Sequence, residues 1–320
     1  MKKVSVIMST YKTETNILTE SIESILNQTY KNIEFVIICD GDKEEYEYIK
    51  SINDNRIKVI LNDTNKGLPY SLNLAIKNST GDYIARMDSD DIAIKDRLEK
   101  QVDFLERNKD IGLCGTEALL FGTKKGKKRV FLKNSKEVKV QLLYKATLIH
   151  PTVMARREVY EKFQYNEQFV CAQDFELWSR VSEEYNIVVL PIIGLKYRMH
   201  EKQASTEKKE KQAQLAMITI KSNSMKITGE YDERICKVLY VLGGRENLTR
   251  ENCNQINDDI NYLIKNNKKY DKKILKKVIY NRFFELLFKN KILTFKFDII
   301  RKCLKIYNLR DVLEVIKYAR

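Results

Sequence analysis

Apolar residues in the first hundred positions follow two alternating patterns. Val4 to Met8 is a short β-rich run between lysine and Ser-Thr, and Ile33 to Cys39 is a continuous apolar run closed by Asp40-Gly41. Ile57 to Leu61 and Tyr83 to Met87 repeat this form. Such runs suit buried strands with turns at their ends. Between them, helical spacing occurs at Ile17, Leu18, Ile22, Ile25 and Leu26, at Leu68, Leu72, Ala75 and Ile76, and at Leu98, Val102 and Leu105. Thr19 is placed to cap the later part of the first of these helices. The alternation predicts an α/β fold with a parallel, doubly wound sheet, whose ligands bind beyond the carboxyl ends of the strands. Three polar clusters fall at that edge: Ser9-Thr10-Tyr11, Asp40-Gly41-Asp42 and Asp88-Ser89-Asp90-Asp91.

The charged stretch from Lys124 to Arg129 reads as a loop separating this half from a second set of elements, with late strands at Ile187 to Leu190 and Leu195 to Met199. Beyond about Ser205 the pattern is helical, as at Ile256, Ile260, Leu263 and Ile264, and no internal repeat is visible. A boundary near 205 therefore divides an α/β domain over 1–205 from a helical region over 206–320.

Composition adds to this picture. The 320 residues are 43% hydrophobic, enough for a sizeable core, and three prolines with 11 glycines exclude a Pro/Gly-rich disordered chain. The net charge of +14 is uneven: residues 261–320 hold 17 Lys and Arg against five Asp and Glu, so a basic tail follows a nearly neutral body. Such asymmetry predicts an anionic partner: membrane phospholipid, nucleic acid or a lipid pyrophosphate. No nucleic-acid motif accompanies the charge, so nucleic acid is not expected. Cys39, Cys114, Cys171, Cys236, Cys253 and Cys303 form no CxxC pair or zinc spacing and read as reduced thiols of a cytosolic chain. The opening MKKVSVIMSTY is a poor signal peptide. The apolar stretch from Phe283 to Ile300 is interrupted by Glu285, Lys289, Lys291, Lys296 and Asp298, too often to span a bilayer.

The chemistry concentrates at Asp88-Ser89-Asp90-Asp91, directly after a strand. Three carboxylates on one turn repel one another unless a cation neutralises them, and Mg²⁺ or Mn²⁺ accepts carboxylate and phosphate oxygens together. Taken alone, the turn would serve equally as a polar helix cap. The stretches VSVIMSTYK, SIESILNQTY, VIICDGD, NKGLPYSLNLAI, GDYIARMDSDD, LIHPTVMARREV, AQDFELWSRV and YRMHEKQAS, in that order, span about residues 1 to 205. In this ordered set the chain resembles the family 2 glycosyltransferases of GT-A fold, within them the amylovoran-type enzymes of bacterial capsule and exopolysaccharide assembly.

The resemblance implies a Rossmann-like nucleotide-sugar domain with a mostly parallel central sheet, followed by the basic helical region. It also implies transfer of a hexose or N-acetylhexosamine from a UDP-sugar to a saccharide or lipid-linked acceptor, with inversion and a divalent cation, Mn²⁺ or Mg²⁺. Ser9, Thr10 and Tyr11 would line the base pocket and Asp40 would meet the uracil edge, unless it is a plain turn aspartate. Lys66, Arg86, Ser89 and Arg198 would approach ribose, phosphates or sugar. Asp88 would face the donor, Asp90 would be the main metal ligand with His200, and Asp91 would orient that shell. Asp174 resembles the catalytic base, although a helix-start acid is the plainer alternative. Gln173 replaces the family's usual Glu on the acceptor side. His150 resembles an acceptor-side residue, a satisfied structural histidine being the alternative. Trp178 shares helical spacing with Phe175 and reads as packing.

The resemblance implies a cytoplasmic enzyme, whose basic tail is either a solvated helical bundle packed on the catalytic domain or an attachment to an anionic membrane face. A nucleotidylyltransferase of similar fold is the rival enzyme, but its Gly-rich loop after the first strand is absent from Met8-Ser9-Thr10-Tyr11-Lys12. A non-catalytic binder of anionic surfaces or nucleic acid is the rival outside enzymes.

Overall fold

In a computed structural model of the chain, the structure describes residues 1–128, 132, 134–200, 209–290 and 292. Two compact units emerge: Met1–Ser135 with Thr147–Gln212, and Lys136–Ala146 with the chain from Ala213 onward.

The first unit is built on one sheet. Its strands are β1 (Val4–Thr10), β2 (Ile33–Asp40), β3 (Ile57–Asn62), β4 (Tyr83–Asp88), β5 (Ile92–Ala93), β6 (Ile111–Gly122), β7 (Gly126–Lys128), β8 (Met154–Arg156) and β9 (Asn186–Met199). They run in the order β3-β2-β1-β4-β8-β6-β9-β5, with β7 beside β6. The strands β3, β2, β1 and β4 are mutually parallel, as the apolar runs predict. Beyond β4 the sheet is mixed: β8 is antiparallel to β4 and β6, while β6 and β9 run parallel. Its helices are α1 (Thr15–Leu26), α2 (Lys43–Ser51), α3 (Leu68–Lys77), α4 (Arg97–Arg107), α6 (Arg157–Lys162) and α7 (Gln173–Val181), with a 3-10 turn at His150–Thr152, while α5 (Ser135–Gln141) belongs, but for its first residue, to the second unit. The predicted core faces of α1 and α4 are buried: Leu18, Ile22 and Ile25 pack with Leu98, Val102 and Leu105 on the sheet. Thr19 does not cap α1. It lies within the helix, where its hydroxyl donates to the Thr15 carbonyl at 2.6 Å.

Two further sequence expectations change. The stretch from Lys124 is not simply a loop, because Gly126–Lys128 pairs with Ala118–Leu120 of β6 and the sheet continues through it. The two late strands are one, β9, whose pairing with β6 shifts register beside Pro191. A bulge there accommodates a residue with no ladder donor. Helix α2 and strand β6 were not foreseen. Gly41, at φ +89°, turns the chain at the end of β2, where a Cβ would lie 2.5 Å from the Asn65 nitrogen.

The second unit is helical: α8 (Lys209–Thr228), α9 (Glu233–Leu242), α10 (Cys253–Asn266) and α11 (Lys272–Lys289). Asp232 and Asp271 cap α9 and α11 through side-chain oxygens. Arg234 pairs with the buried Asp259 at 2.5 Å. Among the described residues no helix is long and apolar enough to cross a membrane. The second half of the basic tail, Cys303, the expected boundary at 205 and the end of the segment from Phe283 to Ile300 lie outside the described residues.

Candidate active site

The expected clusters meet at the carboxyl edge of β1, β2 and β4. Ser9 of β1 pairs with Asp88 of β4, and Asp40 of β2 pairs with Asn62 of β3. The following turn is anchored from two sides: the Ser21 hydroxyl of α1 donates to the Asp88 carbonyl, and Thr13 shares a hydrogen bond with Ser89, both at 2.8 Å. Behind β4, the fully buried Arg97 donates to the Arg86 carbonyl at 2.8 Å. Gln28 of the α1 terminus bonds the Ile94 carbonyl at 2.9 Å and the Leu98 amide at 3.1 Å. The turn is thus held by neighbours rather than by its own short loop.

On this frame the carboxylates of Asp88, Asp90 and Asp91 each place an oxygen within 4.8 Å of the others. Asp90 Oδ2 lies 3.0 Å from His200 Nε2. Asp91 is 1% exposed; its Oδ1 accepts from the Arg198 amide at 2.8 Å, while its Oδ2 has no partner among the described residues. Burial, then the charges of Asp88 and Asp90, push the Asp91 carboxyl well above the usual carboxylate range. Asp88 is also raised, first by burial; its ion pair with Arg86 opposes this, and Asp90 and Asp174 add to it. An orphaned buried carboxylate oxygen among three crowded acids is the donor set a hard cation neutralises. The residues present therefore fit a divalent ion.

Arg86 is buried, and its Nε and Nη1 have no partner among the described residues. Arg198 Nε donates to the Asp90 carbonyl at 2.7 Å and Nη2 to Glu20 Oε2 at 2.6 Å. Its guanidinium stacks 4.5 Å from the Phe121 ring centroid. Asp174, in the first turn of α7, accepts from the Phe175 amide at 2.8 Å. Burial raises its pKa despite that bond and the cations Arg86 and Lys128. Asp174 is also among the charges felt by Asp88, so the expected base lies within electrostatic reach of the acidic turn. Beside it Gln173 is buried, with an unpartnered Oε1.

The remaining candidates separate by exposure. Tyr11 is 46% exposed, and Lys66 is exposed at the loop before α3. Thr10 is buried, and its hydroxyl donates to Glu45 of α2 at 3.0 Å. Asp40 is 2% exposed. Its oxygens accept from Asn62 Nδ2 at 2.7 Å and from the amides of Lys66 at 2.9 Å and Gly67 at 2.8 Å. In this geometry Asp40 ties down the loop that presents Lys66. His150 is buried, bonded to the Tyr165 hydroxyl at 2.7 Å and edge-on to Trp178. Burial, then Arg86, lower its pKa well below the usual histidine value, so the ring is neutral. Trp178 and Phe175 are buried as packing residues.

The sequence passed over three residues near the acids. Glu20 anchors Arg198. Tyr197 has its hydroxyl pKa raised by burial, then by Asp88, Asp91 and Asp90. Lys128 places its ammonium 4.7 Å from the centre of the Tyr197 ring. It lay hidden in a lysine run that resembles any solvated loop.

Comparison with known proteins agrees with this geometry. The model of the family described as glycosyl transferase family 2 matches residues 5–163. An Escherichia coli protein named UDP-Glc:alpha-D-GlcNAc-diphosphoundecaprenol beta-1,3-glucosyltransferase is 32% identical over 209 residues, covering 64% of this chain and 80% of that protein. S. aureus TarS, solved with UDP-GlcNAc, superposes with a TM-score of 0.59 at 18% identity, over 87% of this chain and 84% of that one. A Pyrobaculum calidifontis mannosyltransferase solved with GDP-Man and Mn²⁺ gives a TM-score of 0.57 at 14% identity, over 83% and 76%. These two likenesses show the fold.

Proposed function

The chain belongs to glycosyl transferase family 2, and from that premise we propose that it moves a hexose or N-acetylhexosamine from a UDP-sugar onto a hydroxyl of a lipid-linked saccharide. Family membership makes it a glycosyltransferase and removes the nucleotidylyltransferase and the non-catalytic binder as alternatives. The observation that carries the proposal is the meeting of the Asp88–Asp91 turn and Asp174 in one site.

In this reading Asp90 and His200, with Asp88 and Asp91 beside them, hold a divalent cation. Bound there, it would neutralise the diphosphate that leaves as the glycosidic bond breaks. Arg198 faces the same anion: its guanidinium is fixed by Glu20, Phe121 and the Asp90 carbonyl, so orienting it costs little on binding. Arg86 holds Asp88 toward the donor and has two N–H groups left for it. Asp174 takes the proton of the attacking hydroxyl. Burial raises its proton affinity, which strengthens it as a base, while Arg86 and Lys128 oppose that rise. Attack opposite the departing diphosphate gives inversion. The donor class and the acceptor are supported by relatives that bind UDP-GlcNAc or carry a diphosphoundecaprenol acceptor in their name. That acceptor chemistry also fits a cytoplasmic enzyme working at a membrane face.

The test is a panel of UDP-glucose, UDP-galactose, their N-acetylamino forms and GDP-mannose, read as nucleoside diphosphate release with Mn²⁺ and with EDTA. Release from a UDP-sugar that depends on metal and collapses in Asp90→Asn supports the reading. Release only from GDP-mannose would move the donor class, and full activity in EDTA would remove the metal. Retained anomeric configuration in the product would overturn the single displacement.

A further inference from the structure

Four lysines crowd the hairpin that joins β6 to β7: Lys124, Lys125, Lys127 and Lys128, with no acidic residue between Ala118 and Lys128. All four are exposed. The hairpin is not loosely attached. The Thr123 amide and hydroxyl both donate to the Met199 carbonyl at 2.9 Å. Gly122, at φ +91°, lies so close that a Cβ would sit 2.5 Å from that carbonyl oxygen. The basic hairpin is therefore pinned to the end of β9, next to Arg198 and His200.

Lys128 differs from its neighbours in orientation. Successive side chains of a strand point to opposite faces, and Lys128 lies over the Tyr197 ring while Lys127 falls on the other face. Tyr197 lies within electrostatic reach of Asp88, Asp91 and Asp90, and cation–π attraction holds the ammonium over its ring. The charged neighbours of Lys128 are Asp174 foremost, then Asp91 and Asp88. It forms no ion pair with any described residue. A cation aimed at the site yet bonded to none of its carboxylates is available to a ligand.

We infer that Lys128 and the β6–β7 hairpin bind a phosphate group of the acceptor. This rests on the reading of Asp174 as the base at which the acceptor hydroxyl arrives. The donor diphosphate already has Arg198, His200 and the Asp88–Asp91 turn on its side of the site. Asp174 is foremost among the charges that Lys128 feels, so the ammonium lies within electrostatic reach of the proposed base. A neutral saccharide has no use for four clustered ammonium groups, whereas a sugar carried on a diphosphate brings matching charge. Lysine suits such a task as a mobile point charge.

Octyl diphosphate, which carries the anionic head without a sugar, is the probe. It is titrated calorimetrically into the full-length protein already saturated with Mn²⁺ and the nucleoside diphosphate found in the donor panel. Binding is expected, weakening with salt. Lys128→Ala is expected to weaken it by about ten-fold or more, the scale of a lost charge-assisted hydrogen bond. Lys128→Arg restores it, and Lys127→Ala, with the same change in charge, weakens it less. Octyl glucoside, with the same tail and no charge, gives no dependence on Lys128. Equal affinities for Lys128→Ala and wild type would overturn the inference, as would absence of binding. Weaker binding of the nucleoside diphosphate, with octyl diphosphate unaffected, would overturn it by assigning Lys128 to the donor. If no nucleoside diphosphate loads at all, the donor reading fails; octyl diphosphate is then titrated alone, and dependence on Lys128 still decides the hairpin's role.

Discussion

Glu34 and the Asp88–Asp91 turn sit at opposite ends of the same parallel strands, and they treat negative charge in opposite ways. At the amino end, Glu34 accepts from Lys3 Nζ at 2.8 Å, Ser5 Oγ and the Thr80 amide at 2.5 Å each, and the Gly81 amide at 3.1 Å. Burial would raise its pKa, but the bonds from Lys3, Ser5 and Thr80 outweigh it and leave it at about 2. At the carboxyl end, Asp91, Asp88 and Asp174 are all raised, first by burial. The first carboxylate is complete within the fold. The others wait for groups the fold does not supply, which is the signature expected of a site built for ligands.

The largest effect should come from breaking the second cluster chemically. Asp174→Asn is expected to lower kcat by about 10²–10⁴-fold, the usual weight of general base catalysis, with little change in thermal stability. In the wild type the acid limb of the kcat profile reports the ionisation of Asp174. The base works ionised and its pKa is raised, so activity should fall at a higher pH than an ordinary aspartate would give. A kcat within a few-fold of wild type in Asp174→Asn would remove it from the base role.

Breaking the first cluster should instead be a stability event. Glu34→Gln removes a charge that five donor groups address, the Thr80 hydroxyl included, and is expected to cost about 1–3 kcal/mol, measured by chemical denaturation, while kcat of the folded fraction stays near wild type. The pH dependence has a definite sign. Because the folded pKa is depressed, the stabilisation from Glu34 is complete above the unfolded value near 4.5 and is lost as pH falls toward about 2. A Glu34→Gln chain as stable as wild type at neutral pH would mean that these contacts only replace water.

The contrast also explains which parts were legible in the sequence. Strands β1, β2 and β4 announce themselves as short apolar runs because both of their faces are covered, and the site falls where those runs end in Ser, Thr and Asp. Strand β6 gave no such signal. Its Gly112 and Gly115 break the apolar run, because a Cβ would meet Tyr185 at 2.6 Å and Leu148 at 3.1 Å. Helix α2 reads KEEYEYIKS, too charged for an apolar stripe, though Asp42 caps it and its Glu45 holds the Thr10–Thr13 turn. Asp40 was legible as a residue at the right edge, but its three loop partners lie 22 to 27 positions away and could not be seen. Lys128 was illegible for a related reason: only the pairing of β7 with β6 turns one lysine of a run toward Tyr197.

The subtlest way to sharpen the comparison is to relieve the acidic turn without touching the base. Asp91 is raised well above the usual range by burial and by its two acidic neighbours. A raised folded pKa means that the stability contributed by the protonated form is full below the unfolded pKa and is lost as pH rises through the folded one. At neutral pH the metal-free protein therefore carries a strain that Asp91→Asn removes, because the amide oxygen can still accept from the Arg198 amide. The substitution is expected to stabilise the metal-free protein by about 1 kcal/mol, or roughly 2–4 °C in Tm, with the gain shrinking as pH is lowered. Mn²⁺ should then reverse the ranking, since an ion that binds only the folded state stabilises it in proportion to its affinity, and the wild type offers the fuller set of carboxylates. An Asp91→Asn protein that melts below wild type at neutral pH, and gains as much from Mn²⁺, would show Asp91 to be a structural acid like Glu34.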